Sequence, residues 1–166
     1  VYKRQDLYGG SALTDDIKVP ENKDVASIPK TIPVTYVAGR NLVFLSIAAG
    51  YAESLDINDI YIGVNSVDYS GYPDCRKEFI VSFEKLINNC TKKGLEGRSF
   101  KIKTPLINLS KREIVLVGKK NNVDFSKTSS CYNPKNSKSC GLCDSCLLRQ
   151  KGFKDAKVKD PLVYDV

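Results

Sequence analysis

The sequence predicts an α/β protein, a parallel sheet with helices on both faces, followed by a small C-terminal loop and helix held by four cysteines. Three observations carry this. Strand-like apolar runs alternate with helical patterns between residues 33 and 121, the order that gives parallel sheets. One run, 59–65, is nearly continuous through Ile60, Tyr61, Ile62 and Val64, as a strand buried on both faces is. Cys131, Cys140, Cys143 and Cys146 then follow in the spacing C-x8-C-x2-C-x2-C.

In chain order, residues 15–30 mix Pro20, Pro29 and Asn22 with acidic side chains and show no period, which predicts an exposed loop. The β-branched character of 33–37 predicts a short strand, and 41–55 carries apolar residues on most faces, as a helix covered on several sides would. After the strand at 59–65, Phe79, Ile80, Phe83, Leu86, Ile87 and Cys90 fit a helix from Arg76 that ends at Gly94, with Cys90 a buried small hydrophobe. Residues 99–103 alternate like a strand, and 110–121 are helical again behind the capping box Ser110-Lys111-Arg112-Glu113. Gly9-Gly10-Ser11 lacks a preceding apolar strand and is assigned to a loop.

A chain of 166 residues that is 42% hydrophobic can bury one ordinary core. Its longest apolar stretch, 42–52, is too short to cross a bilayer and is broken by Ser46 and Gly50. The net charge of +7 fits a phosphate-bearing partner or simply a Lys-rich solvated surface. The chain opens on Val1 and contains no Met. It is therefore expected to be a fragment, with residues 1–5 resembling a translated sequencing-adapter end and natural sequence beginning near Asp6.

The cysteine spacing suits a closed site of four soft thiolates, and tetrahedral Zn2+ is the economical occupant. An iron-sulfur cluster suits four thiolates as well. Two disulfides would need an oxidising compartment, and adjacent C-x2-C pairs bridge poorly. With no visible signal peptide, a cytoplasmic protein is expected.

In open α/β sheets ligands bind beyond the carboxyl ends of the strands. Three segments fall there. Arg40 and Asn41 begin a helix, where free amides favour an anion; Asn41 can serve as N-cap, whereas Arg40 beside a positive helix end calls for something negative. Lys111 and Arg112 oppose the dipole of their own helix in the same way. The loop 65–76 holds two tyrosines, two aspartates and an arginine, which suits a planar polar ligand or a turn whose tyrosines merely pack.

Taken together, GGSALTD at 9–15, PVTYV with RN at 33–41, FLSIAAGYAE at 44–53, GVNSVDYSGYPDCR at 63–76, LSKREI at 109–114, SCY at 130–132 and CGLCDSC followed by LRQKGF resemble the 7-cyano-7-deazaguanine synthases. These are the nitrile-forming enzymes of the queuosine precursor pathway. The resemblance runs from Tyr8 to Phe153 and departs at Ala38-Gly39, where that family usually has Pro-Ala. It implies a Rossmann-like, adenine nucleotide alpha hydrolase-like fold of the ATP pyrophosphatase group whose first strand and phosphate loop are missing here. Residues 6–130 would then be a partial nucleotide-binding domain and 131–153 the zinc motif.

The implied reaction is ATP-dependent conversion of 7-carboxy-7-deazaguanine and ammonia to the nitrile, through an adenylated carboxylate and then an amide. Mg2+ would accompany the ATP, one structural Zn2+ would sit on the cysteines, and the chain would be a homodimer that binds neither membrane nor nucleic acid directly. Arg40, Asn41 and Lys111 would contact the nucleotide. Asp68, Tyr69, Ser70, Tyr72, Asp74 and Arg76 would line the deazaguanine pocket, with Arg76 facing the substrate carboxylate and Lys111 and Arg76 the catalytic pair. Two other readings stand beside this one. A related ATP pyrophosphatase that thiolates tRNA would be brown when purified without oxygen if its cysteines held a cluster. A zinc-ribbon nucleic-acid binder would show steeply salt-dependent binding, although here the basic residues are scattered among 19 acids.

Overall fold

The structure, a computed structural model, describes residues 9–66 and 71–165. The chain forms two compact units, Ala38–Asn108 and the combination of Val1–Val37 with Leu109–Val166.

The unit Ala38–Asn108 runs α1 (Arg40–Ser54), β1 (Asp59–Tyr61), α2 (Lys77–Cys90), α3 (Lys92–Leu95) and β2 (Lys101–Lys103). The strands pair in parallel with Ile60 opposite Ile102, and both isoleucines point into one core with Leu45 and Ala49 of α1 and Phe83 and Ile87 of α2. Only three residues of the predicted strand 59–65 form ladder. Single bonds carry the pairing further, from the Ile62 amide to the Lys103 carbonyl (3.0 Å) and from the Ser66 amide to the Ile107 carbonyl (3.3 Å).

The helices cover one face of this pair, not both as predicted. Asp59, Tyr61, Lys101 and Lys103 alternate with the two isoleucines and are exposed, Tyr61 to 70%, the one-sided pattern of a sheet with a polar face. Helix α1 likewise buries Leu45, Ala49 and Ala52 while Phe44, Ile47 and Tyr51, on an adjacent stripe, stay exposed.

Helix α2 stops at Cys90, before Gly94, because Thr91 turns extended and its hydroxyl caps α3 through the Gly94 amide at 3.1 Å. Cys90 is exposed, against its predicted burial, since it lies at the last turn, past the final core contact of Ile87. Lys93 is only 1% exposed. Its Nζ lies 3.0 Å from the Asp56 carboxylate and over the Phe100 ring, and its amide donates to Glu53, so the buried cation is paired as burial requires.

In the other unit, α4 (Lys111–Lys120) packs on α5 (Asp144–Asp155). Gly152 makes the approach close: a Cβ there would lie 2.8 Å from the Lys111 Cβ. The predicted capping box forms, the Glu113 amide donating to the Ser110 hydroxyl (3.3 Å) and the Ser110 amide to the Glu113 carboxylate (2.7 Å). Residues 33–37 form a turn, with the Tyr36 amide on the Pro33 carbonyl, and not the predicted strand. A β-branched run becomes a ladder only beside a partner strand; here the Ala12 amide donates to the Val34 carbonyl at 2.9 Å, and the run is not part of a ladder. Gly9-Gly10-Ser11 opens a turn, as expected of a loop. The loop 15–30 is largely exposed, yet it buries Val19 and Ile28 and includes a short helical turn, Val25–Ser27. Among the described residues no helix is long and apolar enough to cross a membrane.

Candidate functional site

The four clustered cysteines come from a loop and the start of α5. Cys143 is the N-cap of α5 and Cys146 lies in its first turn, so both sulfurs sit at a helix end whose partial positive charge favours thiolates. Cys140 reaches them because Gly141 takes φ 79°, a left-handed conformation that glycine adopts without strain. Cys131 enters from the preceding loop. All four Sγ atoms lie within 4.8 Å of one another, and those of Cys140 and Cys146 are 4.0 Å apart. A tetrahedral zinc with bonds of about 2.3 Å needs its sulfurs about 3.8 Å apart, so the four thiols fit one such ion.

The surroundings favour sulfur anions. The amides of Asn133 and Cys140 donate to Cys131 (3.3 and 3.2 Å), that of Cys143 to Cys140 (3.4 Å) and that of Tyr132 to Cys143 (3.5 Å). The Cys146 thiol, by donating to Cys143, lowers the Cys143 thiol to about 5 in spite of burial. The same contact, with burial, holds Cys146 far above the usual thiol range, and burial raises Cys140. One thiolate is thus stable among its neighbours, but four require a cation.

Residues that the sequence reading passed over brace this centre. The Asn22 side chain donates to the Asp144 carboxylate at 2.6 Å and its amide to the Leu142 carbonyl, while Gln150 donates to the Gly141 carbonyl at 2.9 Å. Burial raises the Asp144 carboxyl, and the Asn22 bond acts against that. The available signal was an aspartate at the first position of a helix that begins on a ligand.

In the unit Ala38–Asn108, Gly71 and Asp74 of the tyrosine-aspartate loop are buried, Tyr72 is half-buried and Arg76 exposed; Asp68, Tyr69 and Ser70 lie outside the described residues. The N-cap of α1 is Gly39, at φ 61° and without a side-chain cap, so Asn41 stands inside the helix and not at its cap. Asp74 supplies what Gly39 cannot. Its carboxylate accepts from the Asn41 amide at 3.0 Å, and its carbonyl accepts from the Asn41 side chain at 3.0 Å. The Asn41 side chain also meets the Cys75 sulfur at 3.3 Å. Arg40, next to it, is half-buried, and its guanidinium makes no hydrogen bond or ion pair among the described residues.

Lys111 belongs to the other unit, half-buried at the first position of α4 against Gly152. Its neighbour Arg112 donates to the Asp155 carbonyl at 3.2 Å. A cation on the last turn of α5 is favourable for the dipole of that helix, which explains Arg112 without a ligand.

The comparisons with known proteins cover most of this chain. A family model described as "Queuosine biosynthesis protein QueC" matches residues 3–157. A protein of Citrifermentans bemidjiense named 7-cyano-7-deazaguanine synthase is 56% identical over 157 residues, 94% of this chain and 68% of its own length. One of the same name from Pelobacter propionicus is 58% identical over 158 residues, again 94% and 68%, and one from Saccharophagus degradans is 57% identical over 158 residues with the same coverage. The matched span includes the tyrosine-aspartate loop, the Asp74 clamp on α1, the capping box and all four clustered cysteines, and by this similarity the chain belongs to the queuosine biosynthesis protein QueC family.

Proposed function

We propose that this chain is a 7-cyano-7-deazaguanine synthase acting in queuosine biosynthesis, a ligase that forms a carbon-nitrogen bond. The observation that carries this is its 56–58% identity to relatives of that name across 94% of its length. In the finer reading, a Rossmann-like nucleotide-binding fold uses ATP, with Mg2+, to adenylate 7-carboxy-7-deazaguanine, ammonia gives the amide, and a second activation removes its oxygen to leave the nitrile. Adenylation turns a poor oxygen leaving group into a good one, so the protein's work is to hold phosphates, exclude water and orient the acceptor.

Arg40 is the strongest support for a nucleotide contact, because its cation at the start of α1 lacks a partner among the described residues. Asn41 and Lys111 are proposed for the same ligand, each at a helix start. Asp68, Tyr69, Ser70, Tyr72, Asp74 and Arg76 are proposed for the deazaguanine pocket, Arg76 as a bidentate partner of the carboxylate. Zn2+ on Cys131, Cys140, Cys143 and Cys146 is structural, since four sulfurs leave it no open position, and the working protein is a homodimer.

The test measures nitrile formation from the carboxylate with ATP and ammonia, by this chain and by one extended to the full length of its relatives. We expect activity in the extended chain and none in this one, which spans 68% of the length of its relatives. Activity in the shorter chain would overturn the need for the added length, and inactivity in both would overturn the reaction.

A further inference from the structure

The family match ends at residue 157, but the chain beyond it is tied to the metal centre. Arg149, on α5, directs Nε and Nη2 at the two carboxylate oxygens of Asp160, both at 2.9 Å. This fork is buried, the two side chains being 8% and 11% exposed. The rest of the guanidinium is fully used: Nη1 donates to the Thr128 hydroxyl at 2.7 Å, Nη2 to the Phe125 carbonyl at 3.2 Å, and the plane stacks on the Phe153 ring. Asp160 in turn accepts from the Tyr164 hydroxyl at 2.6 Å and from the Leu162 amide at 3.1 Å.

That network turns the following residues back across the cysteines. The Ser139 amide donates to the Val163 carbonyl (3.3 Å) and the Asp165 amide to the Ser139 carbonyl (2.8 Å), a parallel bridge immediately before Cys140. The Tyr164 ring packs against the buried cysteine cluster. Backbone bonds at Ser139 alone would not order a tail of this length. A bidentate charge-assisted pair, with a tyrosine hydroxyl on the same carboxylate, fixes the geometry that does so, and removing one partner would leave the other charge buried and unpaired.

We propose that residues 160–165 form a strap that holds the metal loop closed, so that its release sets how fast a bound zinc ion leaves. Arg149, Asp160 and Tyr164 are positioning residues acting through Ser139 and Cys140, not ligands. The inference rests on the zinc reading above.

The test loads the parent chain, Asp160→Asn, Tyr164→Phe and Phe83→Leu with zinc and follows transfer to excess chromophoric chelator by absorbance. Phe83→Leu weakens the core of the other unit and controls for general stability. We expect release on the order of tenfold faster from Asp160→Asn, where a charge-assisted bond pair is lost, a smaller acceleration from Tyr164→Phe, and the parent rate from Phe83→Leu. The cobalt-substituted spectrum should be the same in all four, because the four sulfurs remain. Parent-like release from folded Asp160→Asn overturns the strap, as does an equal acceleration in Phe83→Leu. Should Asp160→Asn fail to fold, Tyr164→Phe decides by the same criterion. A parent chain that takes up no zinc overturns the metal reading instead.

Discussion

Asp74 caps α1 from 33 residues away, and replacing it separates capping from ligand binding. Its carboxylate takes the Asn41 amide at 3.0 Å and is only 6% exposed. Asp74→Ala leaves that amide at the helix start without an acceptor while keeping the bond from Asn41 to the residue-74 carbonyl. Loss of a capping acceptor costs about 1 kcal/mol, and a partly buried charge on the helix dipole contributes up to about 2 kcal/mol. The two overlap, so the expected total is about 2–3 kcal/mol. Asp74→Asn keeps an acceptor and loses the charge, for about half of that cost. In a chain of this length each kcal/mol moves the melting temperature about 2–4 °C, which places Asp74→Ala on the order of 5–10 °C below the parent and Asp74→Asn between them. Thermal melts followed by far-ultraviolet circular dichroism, without any ligand, measure this. An alanine variant melting within about 1 °C of the parent would refute the capping role. If Asp74 serves substrate alone, both variants keep the parent's stability and only KM rises.

Two further outcomes are expected. Cys143→Ser should lose zinc and unfold its unit, with a stability loss of several kcal/mol given the ~10–16 kcal/mol that structural zinc contributes to small folds; zinc content and circular dichroism check this, and a folded, zinc-loaded but inactive variant would mark a catalytic thiol instead. Bonds from the Ser110 amide and hydroxyl hold the Glu113 carboxyl below its ordinary value. A depressed carboxylate stabilises the fold above its unfolded pKa of about 4.3 and loses that contribution as pH falls through the folded value. The stability gap between parent and Glu113→Gln should therefore be full near about pH 6 and close toward about pH 3, read from melts across that range.

Features set by neighbours along the chain were legible in the sequence. The core stripe of α2, the Ser110 capping box and the Gly141 turn between Cys140 and Cys143 all follow from spacing of a few residues. What spacing could not show was pairing over distance. Residues 33–37 have strand chemistry but form a turn for want of a ladder partner, and a polar alternation at 101–103 left one sheet face bare where helices were expected. Asn41 looked like a cap because asparagine often is one, while the carboxylate that caps α1 sits 33 residues on. The tail was missed in the same way. Its one local signal was an arginine following Leu147-Leu148 on α5, a charge beside buried apolar positions that needs an acid somewhere.

The division of the chain has a consequence for how it is made. Residues 38–108 form one unit from a continuous stretch, whereas the unit with the four clustered cysteines draws on both sides of it. Since units fold as they leave the ribosome, the middle core can form while the four clustered cysteines are still enclosed within it. The early segment carrying Val19 and Asn22 must wait through that interval with its apolar side chain uncovered. Cys131 emerges before the other three ligands, and Asp160 only after all of them. Assembly of the four-cysteine site thus belongs to the end of synthesis, and the Arg149–Asp160 fork can form only once residue 160 has followed Arg149 out of the ribosome.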